Sequence, residues 1–129
     1  MPSYRQERLA EFLRDEISSI IQRELRDPRL GFVSVTRVEM SPDLRHARVF
    51  VSVLGSAEEQ ETAVRALQGA AGFIKRLLAP HLHTRHIPEL HFKLDRSLEH
   101  AERVARLLYQ IERERQAEAT GTSHDDERG

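Results

Sequence analysis

Over residues 4–25 apolar side chains return every three or four positions, at Leu9, Phe12, Leu13, Ile17, Ile20, Ile21 and Leu25, with Arg5, Arg8, Glu11, Asp15 and Gln22 between them. That spacing predicts an amphipathic helix. The helix should stop before Asp27-Pro28, because proline disfavours helical geometry in the residue ahead of it, and Gly31 then permits a turn closed to β-branched residues. The period then falls to two. Strands are predicted over 32–40 and 44–54, joined by Ser41-Pro42-Asp43, whose residues preset or hydrogen-bond a turn. In the second strand Ala47, Val49, Val51 and Val53 alternate with His46, Arg48, Phe50 and Ser52, the pattern of a sheet with one buried face. In the first, Val33 and Val35 lie on one parity and Val38 and Met40 on the other, so a bulge near Thr36 and Arg37 is needed to keep all four inward.

Ala63, Val64, Leu67, Ala70, Ala71, Ile74, Leu77 and Leu78 then hold helical phase through Gly69 and Gly72. One continuous helix is predicted, and two glycines within it, each costing about 1 kcal/mol against alanine, imply a bend or a close approach by another backbone. Pro80 and the run to Pro88 end it. A third strand over 89–95 buries Leu90, Phe92 and Leu94 and turns His91 and Lys93 outward. Ser97 is placed to cap a last helix carrying Leu98, Ala101, Val104, Ala105, Leu108 and Ile111 on one side. Residues 116–129 are polar and are expected to be a disordered tail behind a domain of residues 1–115. The fold class is therefore α+β: order α-β-β-α(kinked)-β-α, with helices on one face of a three-stranded sheet.

The 129 residues suit one core, since a domain of this size buries roughly two thirds of its unfolded surface. The absence of cysteine excludes disulfides and thiolate chemistry. The start has no signal-peptide pattern and no apolar run approaches the ~18 residues of a membrane helix, so a cytoplasmic protein is expected. The net charge of −1 averages unlike parts: six acidic and three basic residues fall from Glu112 onward, which leaves residues 1–111 mildly basic. Lys75, Arg76, Arg85 and Lys93 stand against Glu89 alone in the stretch 73–93, with His81, His83, His86 and His91 among them. Such clustering favours an anionic partner only weakly, because surface charge also keeps a domain soluble.

Candidate chemistry is sparse. Phosphate-binding glycine loops need several glycines between a strand and a helix, and no Gly-x-Ser-x-Gly elbow supports a serine nucleophile. Glu58, Glu59 and Glu61 fall in the first turn of a helix, where they complement its dipole. The four clustered histidines allow a zinc reading, but without cysteine or an HExxH helix they read better as surface imidazoles that help attract an anion. No catalytic residue, metal or cofactor is expected.

Gly69-Ala70-Ala71-Gly72 is literally Gly-x-x-Gly, the sequence with which K-homology domains turn between helices and clamp a nucleic-acid backbone. The element order matches the type II K-homology domain, and equally adaptor proteins of the BolA kind, which share a metal cluster with a partner. Lys75 and Arg76 follow the glycines and could reach phosphates beside a closely approached backbone.

The chain resembles the ribosome-binding factor A family, bacterial assembly factors of the small ribosomal subunit. The resemblance rests on Arg26-Asp27-Pro28-Arg29-Leu30-Gly31, on Val38-Glu39-Met40-Ser41-Pro42-Asp43-Leu44 with Ala47-Arg48-Val49, on Ala70-Ala71-Gly72-Phe73-Ile74-Lys75, and on Ile87-Pro88-Glu89-Leu90, together spanning residues 4 to about 111. It implies a type II K-homology-like fold in which an Ala-x-Gly kink, here Ala70, Ala71 and Gly72, replaces the glycine loop. It also implies binding, without catalysis, to free 30S subunits and the 5′-terminal region of 16S rRNA late in maturation, with support of rRNA processing and of growth in the cold. The expected RNA contacts are Ala70, Ala71, Gly72, Lys75, Arg76, Arg85, Lys93, Arg5 and Arg8, with Arg45 and Arg48 weaker candidates. A monomer is expected when free. The short acidic tail and the strong preference for arginine over lysine depart from some relatives.

Overall fold

The computed structural model describes residues 2–120, the side chains at 98–104, 119 and 120 excepted. The chain divides at Asp95/Arg96 into two units. The first begins with α1 (Tyr4–Glu24), whose N-terminus is closed by a reciprocal cap: Ser3 Oγ accepts the Gln6 N–H at 3.1 Å and Gln6 Oε1 accepts the Ser3 N–H at 2.8 Å. Leu13, Ile17, Ile20 and Ile21 form its buried stripe. Leu25 leaves the helix extended, two residues before Asp27, and a 3-10 turn (Pro28–Leu30) leads to Gly31 at φ 57, a turn of the kind that a glycine permits.

Strand β1 (Val33–Met40) pairs antiparallel with β2 (His46–Val53), and β2 pairs parallel with β3 (Glu89–Leu94), giving the order β1-β2-β3. The register slips between Val35 and Arg37, so the expected bulge falls at Thr36. It lets Val33, Val38 and Met40 be buried and Val35 pack partly against the same core. β2 starts later than predicted: Leu44 belongs to the turn, at φ 62, with its N–H bonded to Ser41 O at 2.9 Å. Asp43 Oδ1 accepts from Ser41 Oγ and from the Arg45 N–H, and these local bonds prevail over the strand ladder there. Phe32 and Leu54, read as strand ends, are exposed.

The predicted continuous helix is in fact two, α2 (Ala57–Gly69) and α3 (Ala71–Leu78). Ala70 sits at φ −91, ψ 3 and its N–H is shared between Ala66 O at 3.1 Å and Leu67 O at 3.0 Å, which closes α2. Its carbonyl then accepts the Ile74 N–H at 2.9 Å and opens α3. A glycine on either side of the break lowers the cost of interrupting the helix there. The close backbone approach allowed by the sequence is absent within the described residues: a Cβ added at Gly69 or Gly72 meets nothing within 4 Å. Helices α1, α2 and α3 all pack on one face of the sheet, and the core lies between, with Leu13, Ile17, Leu67, Ile74, Leu78, Val49 and Leu90 fully enclosed.

The second unit contains α4 (Arg96–Thr120). Because α4 begins at Arg96, Ser97 lies inside its first turn and is not the residue ahead of it. Side chains 105–118 are exposed, among them Leu108 and Ile111 of the expected apolar stripe. The helix continues past residue 115, and residues 121–129 of the expected tail lie outside the described residues.

Candidate functional site

The α2–α3 elbow carries the first group of expected contacts. Gly72 is exposed and Ala70 and Ala71 are half-buried. Lys75 is not left projecting: from α3 its Nζ donates to Glu89 Oε2 at 2.7 Å, and only 28% of its side chain is exposed. The hydrogen bond from Lys75, then its charge, holds the Glu89 carboxyl below its ordinary value, and His91 and His46 act in the same sense. Lys75 therefore serves as a strut between α3 and the start of β3. Arg76, one residue on, is exposed, with its guanidinium 5.9 Å from the Phe73 ring centroid and no ion pair among the described residues.

Arg5 and Arg8 stand on the first turns of α1, where they border a groove shared with Leu44 and with residues 81–84. Arg8 lies 5.5 Å from the centroid of the Tyr4 ring, and its Nη1 donates to the Tyr4 hydroxyl at 3.3 Å. Leu44 reaches this groove through its left-handed backbone, which costs a leucine roughly 1–2 kcal/mol. Arg85 is exposed in the loop before β3.

Lys93 is elsewhere. The alternation of β3 turns it to the sheet face opposite α1, α2 and α3, where it borders a shallow depression with Glu39, His46, Arg48 and His91. This face is knit by cross-strand contacts. Arg48 Nη2 donates to Glu39 Oε1 at 2.9 Å, Arg37 pairs with Glu39 and lies 3.8 Å above the Phe50 ring, and His46 Nδ1 meets His91 Nε2 at 3.1 Å. At its end buried Asp95 accepts from Thr36 Oγ1 at 2.5 Å, with Arg37 Nε 3.7 Å from the same carboxylate.

The nine expected contacts thus fall on the elbow, the α1 groove, one loop and the sheet face opposite α1, α2 and α3, not on one patch. Of the histidines, His91 pairs with His46 on the neighbouring strand, while His81 and His83 border the groove. Sequence reasoning missed Tyr4, Phe12 and Leu44 as groove residues and Arg37 and Phe50 as a stacked pair. The outward parity of Phe50 was visible, but the place of Arg37 depends on the bulge.

Fold and site together define a small α+β module with arginines projecting from a packed helix layer and, on the sheet face opposite α1, α2 and α3, side chains bound up in cross-strand ion pairs. The model of the family described as ribosome-binding factor A matches residues 5–108. Ribosome-binding factor A of Thermomicrobium roseum is 86% identical over 116 residues, covering 90% of each chain. The crystal structure of ribosome-binding factor A from Thermus thermophilus superposes with a TM-score of 0.64 at 30% identity, covering 71% of this chain and 98% of that one. A homology model of the Thermus thermophilus factor, fitted into a cryo-EM map of its complex with the 30S subunit, gives 0.60 at 31% identity, covering 70% and 96%. The chain belongs to the ribosome-binding factor A family.

Proposed function

We propose that this chain is an assembly factor of the small ribosomal subunit, binding free 30S particles through 16S rRNA near its 5′ end late in maturation. The observation that carries this reading is family membership across residues 5–108, joined to the 30S complex of the Thermus thermophilus relative. The element order, with two short helices meeting at Ala70, supports a type II K-homology-like reading in which Ala70, Ala71 and Gly72 form the elbow. Gly72 is open on its outer side, so an RNA backbone can come close there. Arg76, Arg5, Arg8 and Arg85 reach phosphates from the helix layer and its loop, and Lys93 is a separate contact on the sheet face. Lys75 acts by holding α3 to β3 more than by reaching RNA.

The work is done by binding. Only a difference in affinity between two arrangements shifts their populations, so the factor binds the immature subunit more tightly than the finished one and then leaves. Support of 16S rRNA processing and of growth in the cold is implied by the family resemblance alone. The protein acts in the cytoplasm as a monomer and without a cofactor; no helix among the described residues is long and apolar enough to cross a membrane. Co-sedimentation of the full chain with free small subunits, set against assembled ribosomes, tests the reading. Pelleting with the free subunits is expected, and equal recovery with both, or with neither, counts against it.

A further inference from the structure

The groove between the start of α1 and residues 81–84 combines two chemistries. Its floor is apolar, with Leu9, Leu44 and Leu82 half-buried against the core, and Tyr4 and Phe12 add ring surface. Tyr4 is 71% exposed, a large apolar surface left in water at the first residue of a helix. The rim is cationic or ionisable to a cation, with Arg5, Arg8, His81 and His83, and no carboxylate lines it. A cavity of about 410 Å³ is within the usual span of small-ligand clefts.

A bare phosphate has no use for the floor, and a neutral apolar group has none for the rim. A nucleotide in a single strand supplies both, a flat ring with free faces and a phosphate on either side. Duplex RNA supplies the phosphates with its rings already stacked. We propose that this groove seats an unpaired base of single-stranded RNA against Tyr4, with the adjoining phosphates toward Arg5 and Arg8. The proposal rests on the RNA-binding reading and deepens it by assigning the strand state recognised at the N-terminal end of α1.

Two further observations support it. The Arg8 guanidinium already lies beside the Tyr4 ring and bonds its hydroxyl, so ring and cation form one prearranged platform. Leu44 is held at φ 62, where a glycine or asparagine would sit without strain, and its side chain is part of the floor. Backbone strain kept at a residue lining a cavity marks that cavity as a place where function is to be sought.

The test uses the full chain and fluorescein-labelled hexaadenylate, followed by anisotropy across a salt series. Controls are a six-unit abasic ribose-phosphate strand and an RNA hairpin of matched charge. Tyr4→Ala is expected to weaken hexaadenylate binding about tenfold, as loss of one stacked base does, without changing the salt slope, while Tyr4→Phe retains binding. The abasic strand should bind the unaltered chain about as weakly as hexaadenylate binds Tyr4→Ala. Equal binding by Tyr4→Ala, or equal affinity for the abasic strand or the hairpin, overturns the proposal. So does Tyr4-dependent capture of an acidic, leucine-containing peptide in place of the oligonucleotide, since the groove then belongs to a protein partner. Co-sedimentation with free small subunits, run in parallel, separates the two readings. If the unaltered chain fails to pellet, the assembly-factor reading falls. If it pellets while hexaadenylate binding ignores Tyr4, the groove proposal alone falls.

Discussion

Gln68 meets Phe92 as a neighbouring strand would: its Oε1 accepts the Phe92 N–H at 2.8 Å, while its Nε2 donates to the carbonyl of Leu90 at 2.9 Å. β3 is an edge strand, and edge N–H and C=O groups invite pairing with foreign chains. One carboxamide closes part of that edge. Gln68→Ala should lower stability by about 1–2 kcal/mol, the contribution of two hydrogen bonds, read as a lower denaturant midpoint at unchanged m-value. Gln68→Glu keeps the acceptor and loses the donor, so an intermediate midpoint is expected.

Lys75 and Arg76 are neighbours in sequence but differ in their contacts, because Glu89 already holds the Lys75 ammonium. Arg76→Ala should reduce the salt slope of RNA binding by about 0.7–0.9, one phosphate contact, and Lys75→Ala by less. Lys75→Ala should instead raise the Glu89 carboxyl toward its ordinary value near 4.5. With its folded value depressed, Glu89 stabilises the fold above pH 4.5 and loses that contribution as pH falls through the folded value, so the variant should show a flatter acid limb. NMR titration of the carboxyl carbon reads this directly.

Gly72 separates folding from binding. Its φ is not positive and an added Cβ would meet nothing, so Gly72→Ala should stabilise α3 by about 0.5–1 kcal/mol. If an RNA backbone approaches there, the same methyl group obstructs it. The expected result is a higher Tm together with weaker co-sedimentation with small subunits; a higher Tm with unchanged binding would remove Gly72 from the interface.

Asp27 accepts from the Arg29 side chain and from the Arg29 N–H, which holds its carboxyl at about 2 against an ordinary 3.8. Its contribution is present above pH 3.8 and disappears as pH falls toward 2. Arg29→Ala should raise the carboxyl midpoint only part of the way toward 3.8, because the main-chain N–H at position 29 still donates to it, with little effect on Tm at neutral pH because the pair is open to water and salt.

These cases mark how far the sequence could be read. The end of α1 was legible because Asp27-Pro28 forbids continuation, and the bulge because the parity of the valines reverses between Val35 and Val38. The break at Ala70 was hidden, since Leu67 and Ile74 are seven residues apart and remain in phase across it. Exposure of Arg5, Arg8 and Arg76 followed from helical spacing. The Lys75–Glu89 strut did not, because it joins α3 to a strand beyond a proline-bounded loop. The α1 groove was invisible for a similar reason: Leu44 enters it only because the turn adopts a backbone angle that leucine rarely takes.

The parallel pairing of β2 with β3 also has a kinetic consequence. The β1–β2 hairpin closes over residues 41–45, whereas β3 can dock only after residues 54–88 have been carried across the sheet. Short closures cost less entropy and come earlier, so the hairpin should belong to the folding nucleus and β3 should condense late. A substitution such as Asp43→Ala is then expected to slow refolding, while Gln68→Ala mainly quickens unfolding. The two arms of a chevron plot would separate them, and the order would place the strut and the elbow among the last parts of the molecule to become rigid.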